Sequence, residues 1–525
     1  MTAAASSRSG YSTNLIVAGV AIILVAPLIA LFALSMAPAL ASSPFSSDVG
    51  WIYVRGTLAL AIGAGGAACL FGVGAAMLVS LADFPGRRLF EIALVLPFAA
   101  PAYILAYVFA DWFAPFGALA GMFGAQNMPA IRSLPGAIIV LAIATYPYIY
   151  LTTRASLLGR GGAYFDAARS LGANPLAACR RVALGMNRPA ILGGTALAVM
   201  EIIADYGAAE HYGIQTLSVG IFRQWHGAGD LTGATHLALS LFLIAALLVL
   251  LEDLSRRGRR AEGPRSTRPP SRITLKGRDK LFAWGFLSSL VPLGFVLPTL
   301  TLISKLGETT AASAIRGLQS ALINTSAVAV LGALIACAIA SALVFMARAS
   351  RSKLVHIGVR LASLGYAAPG AVIAIGVLAL SAPWGTVTST AAGGLAVLIY
   401  AYVVRFLTAG YNATASGFEN VSPQLDDAAR SLGASPTRVF TDVHAPMTRG
   451  AILTGGAIIA LDIAKELPAT LLLRPFNFET LATHIYRLAS DERLADAAPA
   501  ALTLLIFGTV MSLTITLSTR ASHSK

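Results

Sequence analysis

Seven stretches of this chain, Asn14 to Met36, Thr57 to Ala82, Ile92 to Ala110, Pro135 to Thr153, Leu281 to Ser304, Leu318 to Ala347 and Leu361 to Ser381, contain no Asp, Glu, Lys or Arg. At 1.5 Å per helical residue, each is long enough to cross a hydrocarbon core about 30 Å thick. Lipid offers no hydrogen-bond partners, so backbone groups must be satisfied within the segment and such runs fold as helices. Five more runs are as clean or almost so: Pro189 to Gly207, Thr232 to Leu251, Thr386 to Val404, Gly450 to Leu473 and Ala497 to Thr519. The expected fold is an all-α polytopic membrane protein of about 12 transmembrane helices. A chain that is 56% hydrophobic and only 12% charged agrees, since soluble domains carry roughly 25% charged residues.

The basic residues set the expected orientation. With the N-terminus inside, 29 of the 38 Lys and Arg fall in inside segments, which places both termini in the cytoplasm. The net charge of +14 is then a topology signal, spread over many short loops, and nucleic acid is not an expected partner. Met1 to Thr13 has no cleavable-signal pattern, and the first apolar run reads as a retained helix. Cys69, Cys179 and Cys337 are an odd number at no metal-like spacing and predict no disulfide framework.

The chain repeats itself. DAARSLGA occurs at Asp166 to Ala173 and again at Asp427 to Ala434, 261 residues on. Around it, Tyr164 to Leu192 aligns without a gap on Leu425 to Leu453. PFAAPA (Pro97 to Ala102) is matched by GYAAPG (Gly365 to Gly370) at an offset of 268, and TLSVGIFR (Thr216 to Arg223) by TLATHIYR (Thr480 to Arg487) at 264. Two domains of six spans each follow, 1-255 and 281-525. With an even number of spans they have the same orientation. Between them, Arg256 to Lys280 is rich in Arg, Pro and Ser and reads as a basic, flexible cytoplasmic linker that can attract anionic lipid.

Locally, the octapeptide reads as helix, stop and restart. Asp166 and Asp427 suit the positive end of a helix, near its start. Gly172 and Gly433 fit the left-handed residue that closes it. Asn174-Pro175 and Ser435-Pro436 supply a cap and a first residue for a second helix. The result is a rigid cytoplasmic protrusion in each half, at about 160-188 and 419-449.

These residues resemble the cytoplasmic motif of binding-protein-dependent ABC importer permeases, Glu-Ala-Ala followed four positions later by Gly, with Asp here in place of Glu. The resemblance covers the whole chain. Glu201 to Trp225 and Ala464 to Leu494 are similar to the corresponding segments of fused ferric-iron uptake permeases, and related fused permeases for thiamine and phosphonates share part of them. The resemblance implies a type I importer fold built from two parallel six-helix repeats in a bacterial inner membrane. It also implies that Asp166, Ala167, Ala168, Arg169, Gly172 and Pro175, with Asp427, Ala428, Ala429, Arg430, Gly433 and Pro436, dock two copies of an ABC ATPase. A periplasmic or lipid-anchored binding protein would deliver the substrate. No cofactor is expected on this chain, ATP and Mg being bound by the partner ATPase.

A second constellation lies in the fifth span of each half. Glu201 and Asp205 are four apart, and their repeat-equivalents Asp462 and Glu466 are four apart again, with Lys465 beside them. Each pair should share one helix face. Charges at such depth suggest a substrate pathway or gate. Alternatively, Lys465 pairs with one of the carboxylates and locks the halves together. Carboxylate oxygens would suit a trivalent cation, although no metal site is firmly predicted. Tyr146, Tyr148 and Tyr150 read as a kinked packing helix around Pro147. His211, Tyr212, His484 and Tyr486 fall in outside loops, where packing competes with contact to a binding protein or a released metal ion. No G-x-x-x-x-G-K-[ST] phosphate loop, G-x-S-x-G elbow or zinc-spaced Cys/His cluster is found, so no ATPase activity is expected here. The rival class is a proton-coupled secondary transporter relaying protons through the same carboxylates.

Overall fold

Sequences of low polarity and good helix propensity produce helices almost throughout. The computed structural model describes residues 2–36, 44–46, 48–174, 177–179, 184–257, 271–309, 315, 317–350, 352–385 and 390–523. Among these, ten helices are long and apolar enough to cross a membrane, and a bent pair, Lys353–Gly365 with Gly370–Trp384, makes eleven if it is one broken span. The twelfth expected segment, Pro189 to Gly207, does form a helix of 21 residues, Leu184–Ala204. It carries Asn187, Arg188 and Glu201 and is less apolar than the others. Its repeat-equivalent, Ala445–Lys465, is also 21 residues long, and Ala102–Phe113 and Gly370–Ser381 are 12 residues each. The halves are therefore alike in element lengths as well as in sequence.

Packing divides the chain into two compact units, Met1–Ser42 with Gln224–Phe242 and Gln319–Thr483, and Ser43–Arg223 with Leu243–Leu318 and His484–Lys525. Each unit combines helices from both sequence repeats. In the first, Thr2–Ser35 packs along Lys353–Ala362 and Gly370–Ser381. A Cβ placed on Gly376 would lie 2.4 Å from the carbonyl oxygen of Pro27, so only glycine admits this approach. In the second, Asp48–Leu81, Leu134–Ser156 and Leu184–Ala204 pack on one another. A Cβ on Gly72 would meet Ile149 Cβ at 2.7 Å; close backbone approach at small residues is the usual basis of association in lipid. Leu297–Lys305 and the last helix, Leu494–His523, pack together in this same unit. The TYPYIY segment is structural, as expected: the Tyr146 and Tyr150 hydroxyls donate to the carbonyls of Leu94 and Glu91.

The linker is shorter than its composition suggests. The helix Leu231–Arg257 runs through Arg256, residues 258–270 lie outside those described, and Ile273–Thr274 forms a two-residue parallel strand pair with Ala82–Asp83. Ile273 and Leu275 pack against buried core. Two apolar side chains in a basic stretch were enough to fix its C-terminal end. Ser271 extends this contact by donating to the carboxylate of Asp166 through its backbone N–H, 3.0 Å, and through its hydroxyl.

Replacing Gly376 by Val should overpack the contact with Pro27, costing about 1–3 kcal/mol and lowering the melting temperature of the purified protein. Gly450→Ala, where an added Cβ meets nothing within 4 Å, should leave it unchanged or slightly raised.

Candidate functional site

The two octapeptides fold alike. Asp166 lies in the helix Gly162–Ser170 and Asp427 in Pro423–Ser431. Both helices start four residues before the Asp, so these aspartates are mid-helix and not at the start as expected. In the second copy the N-terminus is supplied by Ser422, whose side chain accepts from Gln424 N–H, with Asp426 in the first turn. The expected stop is present in both copies. Gly172 and Gly433 have φ of +86° and +79°. Ala173 N–H donates to Ala168 O and Ala434 N–H to Ala429 O, each at 3.0 Å, the six-to-one bond of a Schellman cap. Restart follows: Asn174 Oδ1 accepts from Ala177 N–H at 2.7 Å, and Ser435 caps the turn opened by Pro436. Pro175 lies outside the described residues.

Each of these helices presents an apolar face that sequence reading missed. Leu171 and its repeat-equivalent Leu432 are 88% and 87% exposed, and Tyr164 and Leu425, also equivalent, are 38% and 39% exposed. Large apolar side chains are thus displayed at matching positions of the two copies. Ala167 and Ala168 with Ala428 and Ala429 form the body of the helices. Arg169 reaches back to the carbonyl oxygen of Ala173 at 3.1 Å, and Arg430 lies 3.9 Å from Asp427.

The helices are anchored in different ways. In the first copy, Phe165 is wholly buried in an apolar cluster. In the second, the equivalent residue is Asp426, which accepts from Arg348 Nε at 2.9 Å and lies 2.6 Å from His444 Nε2. Arg348 also donates to the carbonyls of Phe418 and Val421, and the His444 ring is stacked on Phe418. Burial alone would raise the Asp426 carboxyl, but hydrogen bonds and positive charge from Arg348 and His444 hold it below the usual carboxylate range. Asp426 adjoins the repeated motif, and the signal that could have found it was a second Asp where the other copy has Phe.

The fifth-span carboxylates separate into two kinds. The helices end at Ala204 and Lys465, so Asp205 and Glu466 lie just past the helix and do not share its face with Glu201 and Asp462. Both turn onto the next short helix. Asp205 Oδ1 accepts from Ala208 and Ala209 N–H at 3.0 Å each, and Glu466 Oε1 accepts from Ala469 N–H at 3.0 Å. Glu466 is buried and also pairs with Arg405 Nη1 at 2.6 Å. Arg405 sits inside Ala391–Phe418. The pair fills the space beside Gly370, where an added Cβ would fall 2.3 Å from Glu466 Oε1. The equivalents in the first half are Ala102, Ala144 and Asp205; without the Arg, a methyl group is tolerated. Lys465 pairs with Asp462 of its own helix at 3.1 Å. Glu201 is exposed on its unit. Among the described residues no group of three or more His, Cys, Asp or Glu could hold a metal ion.

Residues 68–260, which include the helix that carries Asp166, and Glu201 and Asp205, match the model of the family described as binding-protein-dependent transport system inner membrane component. The Fe(3+)-transport system permease protein FbpB 2 of Haemophilus influenzae is 26% identical over 438 residues, 82% of this chain and 83% of that protein. The sulfate transport system permease protein CysT of Salmonella typhimurium is 30% identical over 204 residues, 37% of this chain and 73% of its own length. CysW, the corresponding sulfate permease protein of Escherichia coli, is 29% identical over 206 residues, 37% of this chain and 71% of its own. This chain belongs to the binding-protein-dependent transport permeases. The permease is thus a multi-pass inner-membrane subunit of an ABC importer, a class that works with a substrate-binding protein and ATPase partners.

Two outcomes check this geometry. Asp426→Asn should lower the melting temperature at neutral pH. A carboxyl depressed in the fold adds stability above its unfolded value, near about 3.9, and loses it as pH falls through the lower folded value, so the two proteins should converge in acid. Gly370→Ala should force Arg405 from Glu466 and lower the melting temperature of the permease in the same thermal assay.

Proposed function

We propose that the permease imports ferric iron. The observation that carries this reading is the extent of likeness to FbpB 2, which runs through both repeats, whereas the sulfate permeases match about a third of the chain. In this reading a periplasmic or lipid-anchored binding protein delivers iron, and both termini lie in the cytoplasm. Two copies of one ATPase, which hold the ATP and Mg, dock on the two helices that carry Asp166 and Asp427. Leu171 and Leu432 enter the ATPase grooves, and the Schellman caps at Gly172 and Gly433 keep them pointed outward. ATP-driven closure then alternates access between the two membrane faces, with no cofactor on this chain. Glu201 and Asp462, equivalent in the two repeats, line or gate the passage. Asp205 and Glu466 hold the helix breaks, and Lys465 tempers the charge of Asp462. The basic linker lies against anionic lipid.

The test is reconstitution of the permease with its ATPase, followed by ATP hydrolysis with binding protein loaded with iron, sulfate, thiamine or phosphonate. Iron should stimulate, and stimulation by another load with none by iron sinks the reading. Uptake driven by a proton gradient with no ATPase would instead favour secondary transport. Leu171→Asp with Leu432→Asp should abolish co-purification of the ATPase and leave the melting temperature of the permease unchanged, because both side chains already face solvent.

A further inference from the structure

Beyond the helix break at Asp205, the first repeat carries polar side chains that the second lacks. The hydroxyls of Tyr206 and Tyr486 are 2.9 Å apart. Tyr206 is stacked on Phe222 with ring centroids 3.8 Å apart, which fixes where its oxygen points. Glu210 is within electrostatic reach of the Tyr486 hydroxyl. Tyr107, from Ala102–Phe113, is only 3% exposed, and its hydroxyl has no hydrogen-bond partner among the described residues. It is within electrostatic reach of Tyr486, Asp205 and Glu210. His211 meets the Tyr107 ring edge-on, centroids 4.7 Å apart, and its Nε2 is also buried with no partner among the described residues. All of these groups belong to one unit.

The repeat supplies an internal control. At an offset of 261, Tyr206, Glu210 and His211 correspond to Leu467, Leu471 and Leu472, and at 268 Tyr107 corresponds to Ile375. Leu467, Leu472 and Ile375 are buried in the second repeat, so the scaffold at this point needs apolar volume and nothing more. A buried, unpaired hydroxyl costs about 1–3 kcal/mol. Four polar replacements in one region of the unit, two with buried atoms unpaired among the described residues, are a poor packing solution and offer donors for a ligand.

We propose that Tyr107, Tyr206, Tyr486, Glu210 and His211 form a transient binding site for a hard trivalent cation passing through the permease. This rests on the ferric-iron reading and assigns that cation a stopping place. Two oxygens bound side by side to a small hard cation at about 2.1 Å sit about 3 Å apart, the spacing already present between Tyr206 and Tyr486. Each phenol releases its proton to water as its oxygen coordinates. The phenolates and the Glu210 carboxylate then offset the charge of the ion, and neutral His211 completes the set. Oxygen donors of this kind suit hard cations.

The test is a titration of ferric nitrilotriacetate into the purified full-length permease, followed by the visible phenolate-to-iron charge-transfer band. The band should appear in the natural protein. Tyr107→Phe and Tyr486→Phe should each weaken apparent affinity by roughly 10-fold or more, and the triple variant that adds Tyr206→Phe should lose the band while melting normally. Tyr402→Phe, which removes a buried phenol bonded to Thr470, should change nothing, and His211→Gln should shift the band without unfolding the chain. Absence of a band in the natural protein, or its survival in the triple variant, overturns the site. If the band is absent while iron-loaded binding protein still stimulates ATP hydrolysis, the site falls and iron import stands. If stimulation comes only from another load, both fall.

Discussion

Hydrocarbon leaves a backbone nothing to bond with but itself, and the rest of this molecule follows from that constraint. Unbroken helices satisfy it along most of the chain. Where a helix stops, the orphan N–H groups of the next one need an acceptor. The fifth spans solve this in the same way twice: Asp205 and Glu466, each one residue past a helix end, accept from the backbone of the following short helix. A carboxylate at that depth is costly, and capping a helix N-terminus offsets part of the cost.

From this shared device the two repeats have diverged in a consistent direction. The second half stiffened its break, with Arg405 on Glu466 and glycine at 370 to make room, and filled the surroundings with leucine. The first half kept a plain cap at Asp205 and placed phenols, a carboxylate and an imidazole around it. The helices that carry Asp166 and Asp427 differ beneath a similar exterior: Phe165 and Asp426 hold them by different means, while Leu171 and Leu432 are displayed alike.

Much of the site was legible because local chemistry determines it. A left-handed residue followed by a capping side chain and proline specifies its own turn, and the glycines at 172 and 433 have the positive φ that the octapeptide predicts. What was misplaced depended on distant partners. Arg405 acquires its role only through the buried Glu466, 61 positions away. Asp426 had no visible role until Arg348, 78 positions away, was found against it. The linker looked uniformly loose because the core that receives Ile273 and Leu275 is assembled from other parts of the chain.

By itself the sequence determined that the chain is helical and membrane-embedded, that it is a tandem repeat, and that each repeat carries one capped protrusion. These are properties of hydropathy, periodicity and turn chemistry, which act within a few residues of one another. Tertiary structure alone decided which helices share a unit, since Thr2–Ser35 packs with elements of the other repeat. It also decided which charges are paired and that the phenols of Tyr206 and Tyr486 meet. Those outcomes depend on side chains brought together across hundreds of residues, where sequence spacing carries no information about distance.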